Sequence, residues 1–343
     1  MKNLLSLFAL LLLICIQSAN AQTAKYHIAN KFPLEGDGGW DYLVADDDNS
    51  RVFVTHGDIV QVMDMKDGKL IETIKAFKGV HGVALAPNMN YGFISNGRDS
   101  SVSIFNLKTL KMGSKIKNVG QNPDAILFDF YTQRVFVFNG RSNNVAVIDP
   151  SSLKIIAKIP LDGNPEFAVN DDKGNIYVNI EDLSMVCHIN GSTMKVEKKW
   201  KLREGKEPSG LAIDKENHRL FSVCDNKLMV ISDCEKGFVV ATVPIGQHPD
   251  GAAYDAELKR AYSSNGDGTM TVVQEVDANT FKVLENVVTQ KGARTLTLSN
   301  KTHHLYLSAA DRGETPKPTT DNPNPRPEVK PNTFVVIDVL AGK

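Results

Sequence analysis

Gly120-Gln121-Asn122-Pro123-Asp124-Ala125, then Arg134-Val135-Phe136-Val137-Phe138-Asn139-Gly140, then Val145-Ala146-Val147-Ile148-Asp149 follow one another in a single phrase. The phrase is a Pro-marked turn, an apolar strand, a second strand of β-branched and aromatic residues, a turn, and a third strand ending in Asp. It recurs along the chain. The residue after the proline, or its equivalent, is Asp41, His81, Asp124, Glu166, Ser209, Asp250 and Arg294, at intervals of 40, 43, 42, 43, 41 and 44 residues. A period in the forties with four strands per unit is the pattern of propeller blades. The fold class is therefore all-β, a seven-bladed β-propeller of four-stranded blades.

Local chemistry agrees with that period. Alternation such as Val52-Phe53-Val54 suits strands packed between neighbouring sheets. Asn-Gly at 96–97, 139–140 and 265–266 is expected to supply positive φ in the link between second and third strands. Asp64, Asn106, Asp149, Asn190 and Asp233 are placed at third-strand ends, where a short carbonyl side chain bonds the next turn. The seventh unit runs out after Phe334-Val335-Val336-Ile337-Asp338 without a fourth strand, while Lys25-Tyr26-His27-Ile28-Ala29 precedes the first unit unassigned. That N-terminal strand is expected to close the ring and cover the open edge.

The copies Tyr91-Gly92-Phe93-Ile94-Ser95-Asn96, Val135-Phe136-Val137-Phe138-Asn139 and Ala261-Tyr262-Ser263-Ser264-Asn265 look like the YVTN repeat. With the Pro-marked turns and the Val-Ile-Asp endings, the chain resembles the YncE-like YVTN-repeat propeller family over all seven units. Tyr177-Val178-Asn179-Ile180 and Phe221-Ser222-Val223-Cys224 depart from the motif. The resemblance implies the fold; it does not assign a function, because one fold hosts binding proteins and enzymes alike.

Lys2, the apolar run Leu4 to Ile16 and Ala19-Asn20-Ala21 have the order of a signal peptide, residues 1–21, leaving 22–343 as one propeller domain. A periplasmic or secreted location follows. The apolar run is 13 residues, too short for a membrane span. Without Lys2 there remain 38 basic and 40 acidic residues. That balance argues against nucleic acid as a partner, which needs a concentrated basic excess, and membrane insertion is not expected. The protein is expected to act as a monomer. Cys187, Cys224 and Cys234 allow at most one intramolecular disulfide, and buried free thiols are the plainer reading.

The marker column is where the repeats differ most in chemistry. Asp41, His81, Asp124, Glu166, Asp250 and Arg294 are ionisable, with Ser209 the exception. Both the link into each first strand and the link between second and third strands open on one face. The six side chains are thus expected to form a ring at the channel mouth, with His56 and His248 as possible additions. Against this stands the alternative that each carboxylate caps its own turn. Arg294 offers a fork for a carboxylate or phosphate, and His81 is the group that titrates near neutrality. Four carboxylates suit a hard cation such as Ca²⁺, but they come from separated blades and no metal motif supports them, so no cofactor is expected. No G-x-S-x-G, Walker or Rossmann signature is present. His303-His304 is read as a solvent-facing turn.

Three roles remain open. The leading one is binding of a small polar or anionic ligand, or a protein partner, at the channel mouth. The second is a lactonase-like hydrolase or lyase using His81 and the acidic ring, an activity that related propellers carry. The third is a structural or adhesion module. Where the other units place a short turn, the seventh carries a Pro-rich loop, residues 312–332, holding six of the fifteen prolines. It is expected to be extended and to cover the mouth, with Arg312, Glu314, Lys317 or Arg326 reaching the ligand.

Overall fold

The computed structural model describes residues 25–342 except Asp37, Ala76, residues 321–324 and Arg326. The expected signal peptide, residues 1–21, lies outside the described residues. Seven antiparallel four-stranded sheets follow one another. Blade 1, from axis to rim, is Trp40–Asp46, Arg51–His56, Ile59–Asp64 and Leu70–Ile74. The first strands of the next six blades are Val80–Ala86, Pro123–Asp129, Pro165–Asn170, Pro208–Asp214, Pro249–Asp255 and Leu296–Leu298. Each touches the first strand of its neighbour, and the last touches the first, so the sheets form a closed ring. No α-helix occurs among the described residues.

The core is divided in the same way. Seven apolar clusters fill the seven gaps between adjacent blades. The second strands supply their centre: Arg51–His56 and Arg219–Cys224 are buried along their whole length. Rim strands instead carry charge, as in Lys195–Lys201, which protects an open edge from pairing with another chain. All five predicted carbonyl residues, from Asp64 to Asp233, do end third strands. Cys187, Cys224 and Cys234 are free and buried, and burial pushes their thiols up to about 11, 12 and 11.

Two local readings need correction. Gly97, Gly140 and Gly266 do not take positive φ; the left-handed residues of those links are Ser100, Asn143 and Gly268. The Asn side chains act as hydrogen-bond hubs instead. Asn139 Nδ2 donates to Asn144 Oδ1 at 2.9 Å, and Asn265 Nδ2 to Thr269 Oγ1 at 3.0 Å, tying second strand to third. His303 and His304 are not a free solvent-facing turn: each Nδ1 lies 2.7 Å from a buried carboxylate, Asp255 and Asp338 respectively.

Ring closure is as expected. Tyr26–Pro33 pairs antiparallel with Val335–Ala341 and becomes the rim strand of blade 7. Tyr26 packs edge-on against Tyr262 of blade 6, and their hydroxyls are 2.8 Å apart. Phe32 is buried against Trp40 and Phe334 in the cluster between blades 7 and 1. Removing residues 22–31 strips Tyr26 and most of the edge pairing. At about 1.5–3 kcal/mol per large buried side chain, plus exposed edge, the expected fall in Tm is roughly 5–10 °C. Calorimetry of the truncated and intact proteins measures it; an unchanged Tm refutes closure by this strand.

Candidate functional site

In blades 1 to 6 the marker residues sit where the blade breaks its own ladder; in blade 7 the pairing is unbroken and Arg294 precedes the first strand. The pairing of first with second strand shifts register at Trp40/Leu43, Val80/Val83, Pro123/Ile126, Pro165/Ala168, Pro208/Leu211 and Pro249/Gly251. Such an irregularity re-aims the side chain it carries and frees backbone groups from the ladder. The neighbouring blade meets carbonyls at or beside those positions. Ser95 bonds the Asp124 carbonyl, Asn179 the Ser209 carbonyl, Ser209 the Pro249 carbonyl, Ser264 the Arg294 carbonyl and Thr295 the Asp41 carbonyl. The marker column is thereby held blade to blade, at the mouth end of the first strands.

Blades 1 to 4 contribute an acid–histidine cluster. His81 Nδ1 is 2.7 Å from Asp41 Oδ2 and 3.6 Å from Asp124 Oδ1. Gly97 makes room for the ring, since a Cβ there would fall 2.5 Å from His81 Nε2. Burial alone would lower the His81 pKa; the Asp41 hydrogen bond and the charges of Asp124 and Asp41 outweigh it and raise it to about 9. Burial, then the nearby Asp41 charge, lifts Asp124 to about 7. Glu166 is raised to about 9 by burial and by the charges of Asp124, Glu181 and Asp41. Asn164 bridges Glu166 at 3.3 Å and Glu181 at 2.8 Å. These shifts favour a charged His81 and a neutral Glu166 at neutral pH.

Beneath it the channel is crossed by an aromatic pair. Tyr42 of blade 1 meets Phe167 of blade 4 edge-on, ring centroids 4.9 Å apart. Burial, with the charges of Asp124, Glu166 and Asp41, raises the Tyr42 pKa well above its ordinary value. Phe167 also lines a cavity of about 480 Å³ between the first strands of blades 4 to 6, reaching Lys215 and Glu216 in the link beyond the far end of one of them.

The other side of the mouth is a cleft of about 650 Å³. Of the marker column, Ser209, Asp250 and Arg294 line it. Arg294 forms an ion pair with Asp250. His248, exposed, also lines the cleft and pairs with Asp225 at 3.0 Å. His56 does not join the mouth: it is buried in blade 1, stacked on Phe334 at 3.9 Å and 3.3 Å from Gln61. The expected ring is therefore split in two. Asp41, His81, Asp124 and Glu166 cluster together, whereas Asp250 and Arg294 face the cleft.

The four carboxylates do not meet at one point, so a site built from all of them for a hard cation is not formed. The tightest set is Asp41, His81 and Asp124, with ligand atoms within 4.8 Å of one another. There Nδ1 already lies at hydrogen-bond distance from Asp41, so a cation would have to displace the histidine proton.

The Pro-rich loop is rooted rather than free. Arg312 bridges to Val329, the Gly313 amide donates to the Glu328 carbonyl at 2.8 Å, and the Lys330 amide to the Asp311 carbonyl at 2.8 Å. The Arg312 guanidinium stands 5.2 Å over the Trp40 ring, and Nη1 donates to the Pro327 carbonyl at 3.2 Å. Arg312 and Pro327 line the cleft, so the base of the loop forms one of its walls. Glu314 and Lys317 are exposed and do not line it; Arg326 lies outside the described residues.

Sequence reasoning missed Trp40, Tyr42, Glu207 and Lys291. Tyr42 was findable: the position after the marker otherwise reads Gly82, Ala125, Phe167, Gly210, Gly251 and Thr295, so two aromatics stand out. Glu207 and Lys291 are surface charges with no pattern to single them out.

Residues 42–212, just under half the chain, match a family described as a domain of unknown function, DUF5074. No curated protein matches. Among solved structures, one described as RRP9 WD40 repeats is similar with a TM-score of 0.75 and 11% identity, covering 92% of this chain and 100% of that one. Another, U3-55K, gives 0.73 and 11%, covering 90% and 98%. At that identity the likeness shows a fold, the β-propeller, and nothing of function.

The acid cluster has a pH signature. Glu166 has its folded pKa raised from 4.5 to about 9, so its contribution to stability is complete below pH 4.5 and is lost as pH rises through 9. E166Q cannot ionise. Its Tm relative to the native chain should therefore rise steadily from pH 5 to pH 9, while His81 contributes the same slope to both. Melting curves at pH 5, 7 and 9 measure it; parallel pH profiles refute the raised carboxyl.

Proposed function

We propose that this chain is an exported, monomeric binding protein that takes a small polar ligand bearing a carboxylate or phosphate in the cleft at the channel mouth. The observation that carries this reading is the cleft itself, with Lys291, Arg294 and Arg312 in its wall beside polar Ser209 and His248. A concave site with a few convergent polar groups is the ordinary form of a small-molecule site. Export rests on the signal-peptide pattern of residues 1–21, and kinship with YncE-like YVTN propellers on the repeats quoted above. Isothermal titration with a panel of small carboxylates and phosphates tests the reading. Arg294→Ala should weaken binding about ten- to a hundredfold, the scale of one charge-assisted hydrogen bond, and shift Tm by only a few degrees. Replacing residues 313–331 with a short Gly-Ser turn should keep the fold and change affinity or access rate. Lost stability with unchanged binding makes Arg294 a structural ion-pair partner and refutes the proposal.

A second reading, a hydrolase or lyase, is favoured by the cluster in which Asp124 sits at about 7 while Glu166 and His81 sit at about 9. Groups with separated pKa values suit opposite acid and base roles. It requires turnover of a lactone or related ester that His81→Gln abolishes at neutral pH; no turnover by the native chain across such substrates removes it.

A further inference from the structure

We propose that the ligand of the mouth cleft is a zwitterion with well-separated charges, a short peptide of two or three residues, an inference that rests on the cleft being a ligand site. The cleft is polarised by blade. Blades 4 and 5 present Glu181, Glu207 and Asp225, and the segment leading through blade 7 presents Lys291, Arg294 and Arg312. Blade 6 lies between them.

Much of this charge is already matched. Asp225 pairs with His248, Arg294 with Asp250, and Glu181 accepts from Asn164. Arg312 is engaged over Trp40 and by the Pro327 carbonyl. Glu207 on one wall and Lys291 on the other form no ion pair among the described residues. A simple dianion that reaches Lys291 brings its second charge toward Glu207 and Asp225, and a simple cation meets the converse repulsion. A ligand with an ammonium toward blade 5 and a carboxylate toward blade 7 satisfies both walls.

Length follows from the intervening blade. A free amino acid carries its two charges on one carbon, whereas an extended chain advances about 3.3–3.6 Å per residue, so a tripeptide spans roughly 10 Å. The floor between the walls suits a peptide backbone. Ser209 Oγ donates to the Pro249 carbonyl at 2.8 Å, which leaves its lone pairs to accept from a ligand amide. The cleft, about 650 Å³, leaves room for side chains as well.

The test titrates the full mature chain with triglycine, N-acetyl-triglycine, triglycine amide and glutarate. Triglycine should bind at least about tenfold tighter than each of the other three, one charge-assisted contact per blocked end. Lys291→Met should abolish the preference over the amide and keep that over the N-acetyl form. Glu207→Gln should do the reverse. Both side chains are exposed, so folding is not at stake. If glutarate or N-acetyl-triglycine binds as tightly as triglycine, the cleft takes a plain anion: the zwitterion is refuted and the binding function stands. Triglycine binding that ignores both substitutions also refutes it. Binding of none of the four overturns the inference, and the anion-binding function falls with it only when the phosphates of the wider panel fail to bind as well.

Discussion

A side chain from one blade reaching the carbonyl at the broken ladder of the next is the contact on which the mouth of this propeller depends. In blades 1 to 6 the register shift near the start of the first strand leaves backbone groups without ladder partners. A buried orphan carbonyl is costly. Ser95, Asn179, Ser209, Ser264 and Thr295 each bond a carbonyl at or beside these positions across a blade boundary. The same shift aims the marker side chain at the mouth. Thus the bond that joins two blades also holds the marker residue beside it.

The ring is not symmetric in what it displays. On the side of blades 1 to 4, Tyr42 and Phe167 close the channel from below, and the low-dielectric floor pushes Asp124 and Glu166 toward their neutral forms. His81 is held toward its charged form there, first by its hydrogen bond to Asp41. On the side of blades 5 to 7 the wall is open, and charges such as Glu207 and Lys291 face solvent. One half is a self-neutralising network and the other has charges left to offer. The Pro-rich loop strengthens that division, since its base is pinned over Trp40 and carries Arg312 into the open half.

The closure by residues 26–33 serves the site as well as stability. The same N-terminal segment leads directly into Trp40 and Asp41, and Lys31 reaches Gln290 at 3.0 Å, next to Lys291. Blade 7, which supplies Arg294 and the loop, would otherwise end on an unpaired edge.

The sequence by itself determined the blade count, the strand order, the Asp and Asn strand ends and the closing strand. These follow from local period and from the rule that every edge and apolar face must be covered. The marker column was visible for the same reason, because a repeat makes its own exceptions conspicuous. Tertiary structure decided the rest. Asn96, Asn139 and Asn265 proved to be hydrogen-bond hubs and not turn formers, because their partners come from the adjoining strand. His56 went into the core, since the second-strand end of blade 1 is covered by Phe334 from blade 7. Which marker charges neutralise one another, and which remain to face a cleft, depends on distances between blades some forty or more residues apart in sequence. No one-dimensional pattern carries that information, because an ion pair is a relation between two positions in space and a period describes only one.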